Sequence, residues 1–455
     1  MPATNSQTIV RAKAVLAQND RGDYTVPSPQ LYPHQWLWDS GFIAIGLSTY
    51  QPRRAVIEIR SLFRGQWQNG MLPHIIFNDA THYWQGPRFW QSQRSRLAPH
   101  DVATSAMTQP PLPAIACLET ADRMSPPEAQ QFLKGLWPKL VGYHQWIYQD
   151  RDPDGSGLAI LFHPWESGLD NTPPWMELLK KSSRPYWLSL IRQFGLEHLL
   201  GRLRQDTNYV PANQRETDYE AFMLAHRALR YRKRHYNSQL HLRRSRELVE
   251  DLTFNSILIA ANRSLLDIAT IIDESIPPQL RQRMMQTEAA LEELWDETTG
   301  QYYHRNFRTG QLILEPSLAT FLPLFAGSIN TERARRLVRL LAETDSYGLP
   351  FPVPSVPRTS NYFSPLRYWQ GPTWLNTNWM IIKGLLKFGY TAEATKLINQ
   401  SLALVETAGF YEYFSPIDGH GYGINNFSWT AALYLELVAL RQKLALTKIL
   451  TAPVP

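Results

Sequence analysis

From Ala55 to Leu446 the chain keeps returning to one pattern: apolar residues at three- and four-residue steps, interrupted by short connections rich in Trp, Tyr, Pro and Gly. After Pro127, for instance, Leu133, Leu136, Leu140, Tyr143 and Ile147 fall on one stripe of a helix. The spacing predicts helices from Ala55 to Gln68, Ser105 to Glu119, Pro127 to Gln149, Tyr219 to Arg234, Thr253 to Ile272 and Gln279 to Leu294. It predicts further ones from Pro316 to Phe325, Thr331 to Leu341, Trp374 to Phe388, Ala392 to Thr407 and Trp429 to Leu446, with a kink at Pro138. Trp295 to His304 and Arg308 to Leu312 read as turns and short strands, and Gly419 to Asn426 as a similar piece before the last helix. Without a strong internal repeat, so many helices point to a closed ring of paired antiparallel helices reached from one face, ahead of an open solenoid.

The chain has 455 residues, 44% of them hydrophobic and 19% charged, and no linker divides it, which predicts one domain over 1–455 with a lid or insert near 176–250. Its 15 Trp, 21 Tyr and 18 Phe exceed what a core needs and predict a cleft lined with rings. The single cysteine, Cys117, excludes an intramolecular disulfide and reads as an inert thiol in a buried helix. The first residues show no basic region followed by an apolar run, and no apolar run looks long enough to span a bilayer, so a cytoplasmic protein is expected. The net charge of +6 is concentrated between Arg227 and Arg246, which reads as a solvated helix or lid edge. The expected partner is a small carbohydrate, with no nucleic acid and no membrane; a homo-oligomer is allowed.

Metal and cofactor chemistry find no foothold in the sequence. His34, His74, His82, His163 and His304 lack ligand spacing, and Asp150-Arg151-Asp152-Pro153-Asp154-Gly155 imitates a calcium loop but has Leu161 where a bidentate Glu is required. There is no phosphate-cradling glycine loop and no nucleophile elbow.

Carboxylates walled by rings carry the chemistry. His163-Pro164-Trp165-Glu166-Ser167-Gly168-Leu169-Asp170-Asn171-Thr172-Pro173-Pro174-Trp175 looks too irregular for a helix and reads as a shaped loop presenting Asp170 or Glu166. Trp165 or Trp175 offers a flat face for a pyranose, while an apolar wall helps a carboxyl keep its proton. Glu412 lies between Phe410, Tyr411, Tyr413 and Phe414. Opposed across a ring's centre, two such carboxylates supply the acid and the base or nucleophile of glycoside hydrolysis. Of the pair in the loop, Glu166 suits a structural role, bonding backbone amides. Tyr32-Pro33-His34-Gln35-Trp36-Leu37-Trp38-Asp39-Ser40-Gly41-Phe42, Tyr83-Trp84-Gln85-Gly86-Pro87 and Arg367-Tyr368-Trp369-Gln370-Gly371-Pro372-Thr373-Trp374 share this texture and argue for one common cleft.

Taken in order from about Tyr32 to Leu440, these motifs, with Asn426-Phe427-Ser428-Trp429-Thr430-Ala431-Ala432, resemble family 63 glycoside hydrolases, and within them the compact bacterial mannosylglycerate and glucosylglycerate hydrolases. The resemblance implies an all-α (α/α)6 barrel with short hairpins and lid loops at the rim, and inverting hydrolysis of a small α-glucosyl or α-mannosyl compound without a cofactor or metal. By motif, Asp170 is the implied general acid and Glu412 the general base, roughly 6.5–9.5 Å apart. The implied substrate-binding set is Tyr32, Trp36, Leu37, Trp38, Asp39, Gln85, Gln109, Gly168, Tyr368, Trp369 and Gln370, with Arg215 at a glycerate carboxylate. Around Gln214-Arg215-Glu216-Thr217 the chain departs from the family's more usual Arg-Pro-Thr, which leaves glycerate, glycerol or a sugar open as the leaving group. The alternatives are an α-glucosidase acting on other glucosides or oligosaccharides, a non-catalytic carbohydrate-binding protein on the same scaffold, and a sugar isomerase or lyase on a helical toroid.

Overall fold

The structure, a computed structural model, describes residues 6–78, 83–180, 209–215 and 217–451. Its principal helices are α1 (Ser6–Asn19), α2 (Leu37–Ser48), α3 (Pro52–Leu62), α4 (Pro113–Ala121), α5 (Pro126–Arg151), α6 (Asp218–Arg232), α7 (Leu252–Ile272), α8 (Pro278–Leu291), α9 (Leu322–Ala326), α10 (Thr331–Ala342), α11 (Leu375–Lys387), α12 (Thr391–Ala408) and α13 (Ser428–Thr451).

Each predicted helix is represented, and the shifted boundaries have local causes. Helix α4 starts at Pro113 rather than Ser105, because prolines at 110, 111 and 113 remove donors and disfavour helical conformation in the residues before them. The stretch from Pro316 divides into a 3₁₀ turn, Leu318–Phe321, and the short α9. Helix α5 runs from Pro126 to Arg151 with the exposed Pro138 inside it. Helix α2 escaped periodicity because all of its residues are buried, so no polar face marks it.

Helix α2 packs on α4, α4 on α7, α7 on α9, α9 on α11, α11 on α13, and α13 returns to α2. Around this cycle, α3 covers α2 and α4, α5 covers α4 and α7, α8 covers α7 and α5, α12 covers α11 and α13, and α1 covers α13. The expectation about membrane-spanning runs is corrected at α7. Its 21 residues are long and apolar enough by composition to cross a bilayer, yet 67% of the most apolar window is buried inside the fold, as suits a helix enclosed by neighbours.

Short strands decorate one set of connections. Ile160–Leu161, Val249–Glu250, His304–Asn306 and Leu312–Ile313 form a four-stranded antiparallel sheet, and hairpins join Trp295–Asp296 to Gln301–Tyr302 and Tyr413–Phe414 to Gly421–Tyr422. In the basic stretch, Arg227 and Arg230 meet Glu247 at 3.0 and 3.7 Å, while Lys233, Arg243, Arg244 and Arg246 are exposed. Of the lid expected near 176–250, residues 181–208 and 216 lie outside the described residues.

Candidate active site

The segments that lead into α2, α4, α11 and α13 face one cavity of about 390 Å³. Trp36, Trp38 and Asp39 come from the start of α2, Gln109 from the approach to α4, Tyr368 and Trp369 from the approach to α11, and Phe427 and Trp429 from the start of α13. Tryptophan stacks make the wall rigid. The Trp369 ring lies on Trp374 with centroids 3.7 Å apart and planes 6° apart, and Trp38 meets Trp429 edge-on at 5.5 Å.

The loop carrying Asp170 is more regular than its composition suggests, holding a one-turn helix, Pro164–Ser167, and opening a second helix at Pro173. His163 caps the first: its Nδ1 accepts from the Trp165 amide at 3.1 Å, and its Nε2 lies 2.9 Å from the Leu224 carbonyl. Burial pulls its pKa down to about 3, so the imidazole is neutral, with Nε2–H donating. Gly168 ends the turn at φ +75°, where a β-carbon would come within 2.6 Å of the Trp38 ring. Glu166 points inward, pairs with the fully buried Arg151 and accepts from the Phe162 amide at 2.8 Å. Asn171 clasps the loop to the segment before α11: its Oδ1 accepts from the Trp369 amide at 3.1 Å, and its carbonyl accepts from Gln370 Nε2 at 2.8 Å.

On the same cavity, Glu412 is 1% exposed. Tyr32 donates to its Oε1 at 2.8 Å, and Arg215 Nη1 lies 3.3 Å from the same oxygen and 2.5 Å from the Tyr32 hydroxyl. The Arg215 guanidinium lies over the Tyr368 ring at 4.2 Å, and the Tyr368 hydroxyl reaches Asp170 Oδ2 at 3.4 Å. Tyr368 holds φ +41°, a strained conformation of the kind that gathers at functional sites. Asp39 sits in the first turn of α2, and burial, followed by the charges of Glu412 and Asp170, pushes its carboxyl well above the usual range. Burial likewise pushes the Tyr32 phenol well up, against the opposing pull of Arg215. The cavity thus gathers three acidic side chains and, among its described lining residues, one Lys or Arg side chain, Arg215.

Of the predicted site residues, Tyr32, Trp36, Trp38, Asp39, Gln85, Gln109, Gly168, Asp170, Arg215, Tyr368, Trp369 and Glu412 line this cavity. Leu37 and Gln370 do not. Leu37 turns into the core beside its cavity-facing neighbours, while Gln370 spends its amide on Asn171 behind the wall. Trp165 faces the cavity, but Trp175 is turned away and donates its indole N–H to Asp251 at 2.9 Å. His74 was missed as a lining residue. Met71-Leu72-Pro73-His74-Ile75-Ile76 reads as a plain apolar stretch, and only the pairing of Ile75–Ile76 with Gln35–Trp36 sets His74 against Trp36, with ring centroids 5.6 Å apart. Gln30, Leu31 and Tyr209, also on the wall, carried no signal beyond their proximity to other motifs. Among the described residues no group of three or more His, Cys, Asp or Glu is placed to hold a metal ion.

A family model described as the mannosylglycerate hydrolase MGH1-like glycoside hydrolase domain matches residues 32–430. The chain is 38% identical over 433 residues to a mannosylglycerate hydrolase of Thermus thermophilus, covering 94% of this chain and 99% of that one. It is 31% identical over 452 residues to a glucosylglycerate hydrolase of Mycolicibacterium hassiacum, covering 95% and 98%. Among solved structures, a GH63 mannosylglycerate hydrolase from Thermus thermophilus in complex with Tris and D-glycerate superposes with a TM-score of 0.85 at 36% identity, covering 95% of this chain and all of that one.

Proposed function

Since the chain belongs to the mannosylglycerate hydrolase MGH1-like glycoside hydrolases, we propose that this glycosidase cleaves the α-glycosidic bond of a small glycosylglycerate with inversion. The observation that carries the reading is the pair Asp170 and Glu412 in one ring-walled cavity that also holds Arg215. Asp170 donates a proton to the departing aglycone oxygen. Glu412 takes a proton from the water that attacks the anomeric carbon from the opposite face. Trp36, Trp38 and Trp369 offer flat faces to the sugar, and Asp39 hydrogen-bonds its hydroxyls. Burial, followed by the charges of Glu412 and Asp170, raises the Asp39 carboxyl and so favours its protonated form more than in a free aspartate. Arg215 matches the planar carboxylate of a glycerate leaving group.

The same reading gives the helices an (α/α)6 barrel: α2, α4, α7, α9, α11 and α13 as the inner layer, the covering helices as the outer one, and the whole chain as one catalytic domain with a lid in 176–250. Its support is the cyclic order of packing, in which the last helix returns to α2.

The deciding experiment incubates the protein with glucosylglycerate, mannosylglycerate, glucosylglycerol and short α-glucans, following products by NMR. The expected result is preferential release of glycerate with the β-anomer of the sugar formed first. Retention of configuration, or activity confined to α-glucans, overturns the reading; the ratio between the two glycerates fixes the epimer.

A further inference from the structure

Asp170 and Asn171 are the two central residues of a turn that Thr172 closes by donating its amide to the Leu169 carbonyl at 3.0 Å. That bond fixes the ends of the turn and not its middle, because the central peptide unit of a four-residue turn can rotate with the closing bond intact, which is how types I and II differ. A carboxyl carried at such a tip has a defined place only when something else holds the tip.

The hold comes from far along the chain. Asn171 Oδ1 accepts from the Trp369 amide at 3.1 Å, and the Asn171 carbonyl accepts from Gln370 Nε2 at 2.8 Å. Asn171 and Gln370 are both buried, so water does not compete for these bonds. The receiving segment is itself fixed. Gln370 donates its amide to the Arg367 carbonyl at 2.8 Å and accepts from the Ser364 amide at 2.7 Å, while the Gly371 amide donates to Ser355 Oγ at 2.7 Å. At each end of this clasp the preceding residue lines the cavity, Asp170 on one side and Trp369 on the other, with Tyr368 one position further back. The Tyr368 hydroxyl donates to Asp170 Oδ2 at 3.4 Å, so the two clasped segments also meet at the acid.

We propose that Asn171 and Gln370 are positioning residues for the acid, their two hydrogen bonds setting the turn so that the Asp170 carboxyl meets both Tyr368 and the glycosidic oxygen. The inference rests on the assignment of Asp170 as the acid above. It adds that protonation of the leaving group, rather than sugar binding or activation of water, depends on a pair that does not line the cavity. A displacement of about 1 Å at a reacting group is enough to lower a rate by on the order of 10²-fold.

The test measures kcat for wild type, Asn171→Ala and Gln370→Met on the α-glycosylglycerate and on the α-glycosyl fluoride of the same sugar, whose fluoride departs with little protonation. Each variant should lower kcat on the glycosylglycerate by on the order of 10- to 10²-fold and change fluoride hydrolysis little. Any shift of Trp369 acts on both substrates alike and cancels in their ratio. In an Asp170→Asn background the same substitutions should lower kcat on the glycosylglycerate no further, because a residue that works through the acid has no effect once the acid is gone. Gln370→Met is close in shape to the native side chain and carries the test if Asn171→Ala does not fold. Parallel losses on the two substrates, an additive loss in the Asp170→Asn background, or unchanged kcat in both variants overturns the proposal. A wild type that hydrolyses neither substrate, or an Asp170→Asn protein with normal turnover, overturns the functional reading itself and the clasp with it, a distinguishable outcome.

Discussion

At Asp170 and Glu412 the assigned roles separate by leaving group. Asp170→Asn should lower kcat on a glycosylglycerate by about 10²–10⁴-fold while sparing a glycosyl fluoride, whose departure needs little protonation; Glu412→Gln should lower both to a similar degree. Steady-state kinetics on the two substrates checks this, and near-normal turnover in either variant would remove that residue from the chemistry. Gly168 makes a different kind of claim. Its φ of +75° and the 2.6 Å approach to Trp38 leave no room for a side chain, so Gly168→Ala should cost about 1–2 kcal/mol in backbone conformation. The same change should displace Trp38 from the cavity wall and, on the proposed reading, raise KM more than it lowers kcat. These positions were readable from the sequence because ring, glycine and carboxylate occur together in short motifs. The turn of Leu37 into the core and of Trp175 toward Asp251 were not, since each depends on a partner far along the chain.

Elements hold the site through buried charges whose energetics can be measured. Arg151 on α5 and Glu166 ahead of Asp170 are both fully buried, so Arg151→Met should cost about 3–5 kcal/mol by stranding the carboxylate, and the double variant Arg151→Met/Glu166→Gln should cost less. Urea unfolding measures the difference; a double variant as unstable as the single one would contradict a buried pair. A second carboxylate ties α3 to the start of α2. Glu58 accepts from Ser40 Oγ at 2.6 Å and meets Arg54 at 3.1 Å, and burial pushes its pKa up to about 7 against the pull of both partners. With the folded pKa above the unfolded value near 4.5, the folded state binds the extra proton between those values. Stability therefore falls as pH rises through that window, by roughly 3 kcal/mol in all. Glu58→Gln lacks this slope, so its melting temperature should rise relative to wild type between pH 5 and 8. A constant difference would show that Glu58 ionises normally. The helices that carry these groups were legible wherever one face is wet, as in α3 and α5. Helix α2 was not, because a segment buried on every side has no period to read.

The molecule closes where α13 meets α2. The backbones approach so tightly there that a β-carbon on Gly46 would lie 2.3 Å from the Ala432 carbonyl oxygen, so Gly46→Ala should force this seam apart and cost about 1–3 kcal/mol. Thermal unfolding tests this, and an unchanged melting temperature would show that the seam has slack. By itself, the sequence determined that the chain is built from many amphipathic helices and that its connections carry ringed carboxylates. It also marked Asp170 ahead of Glu166 as the candidate acid of its loop. Those properties are local: helical periodicity spans three or four residues, and a motif's chemistry lies in the identity of adjacent side chains. Only the tertiary structure decided that the tyrosine at 32 reaches the glutamate 380 residues later, that Arg215 rests on that same glutamate, and that His74 joins the wall. The direction of a side chain in a connection is set by whichever distant element packs against it, and no short-range pattern records that choice.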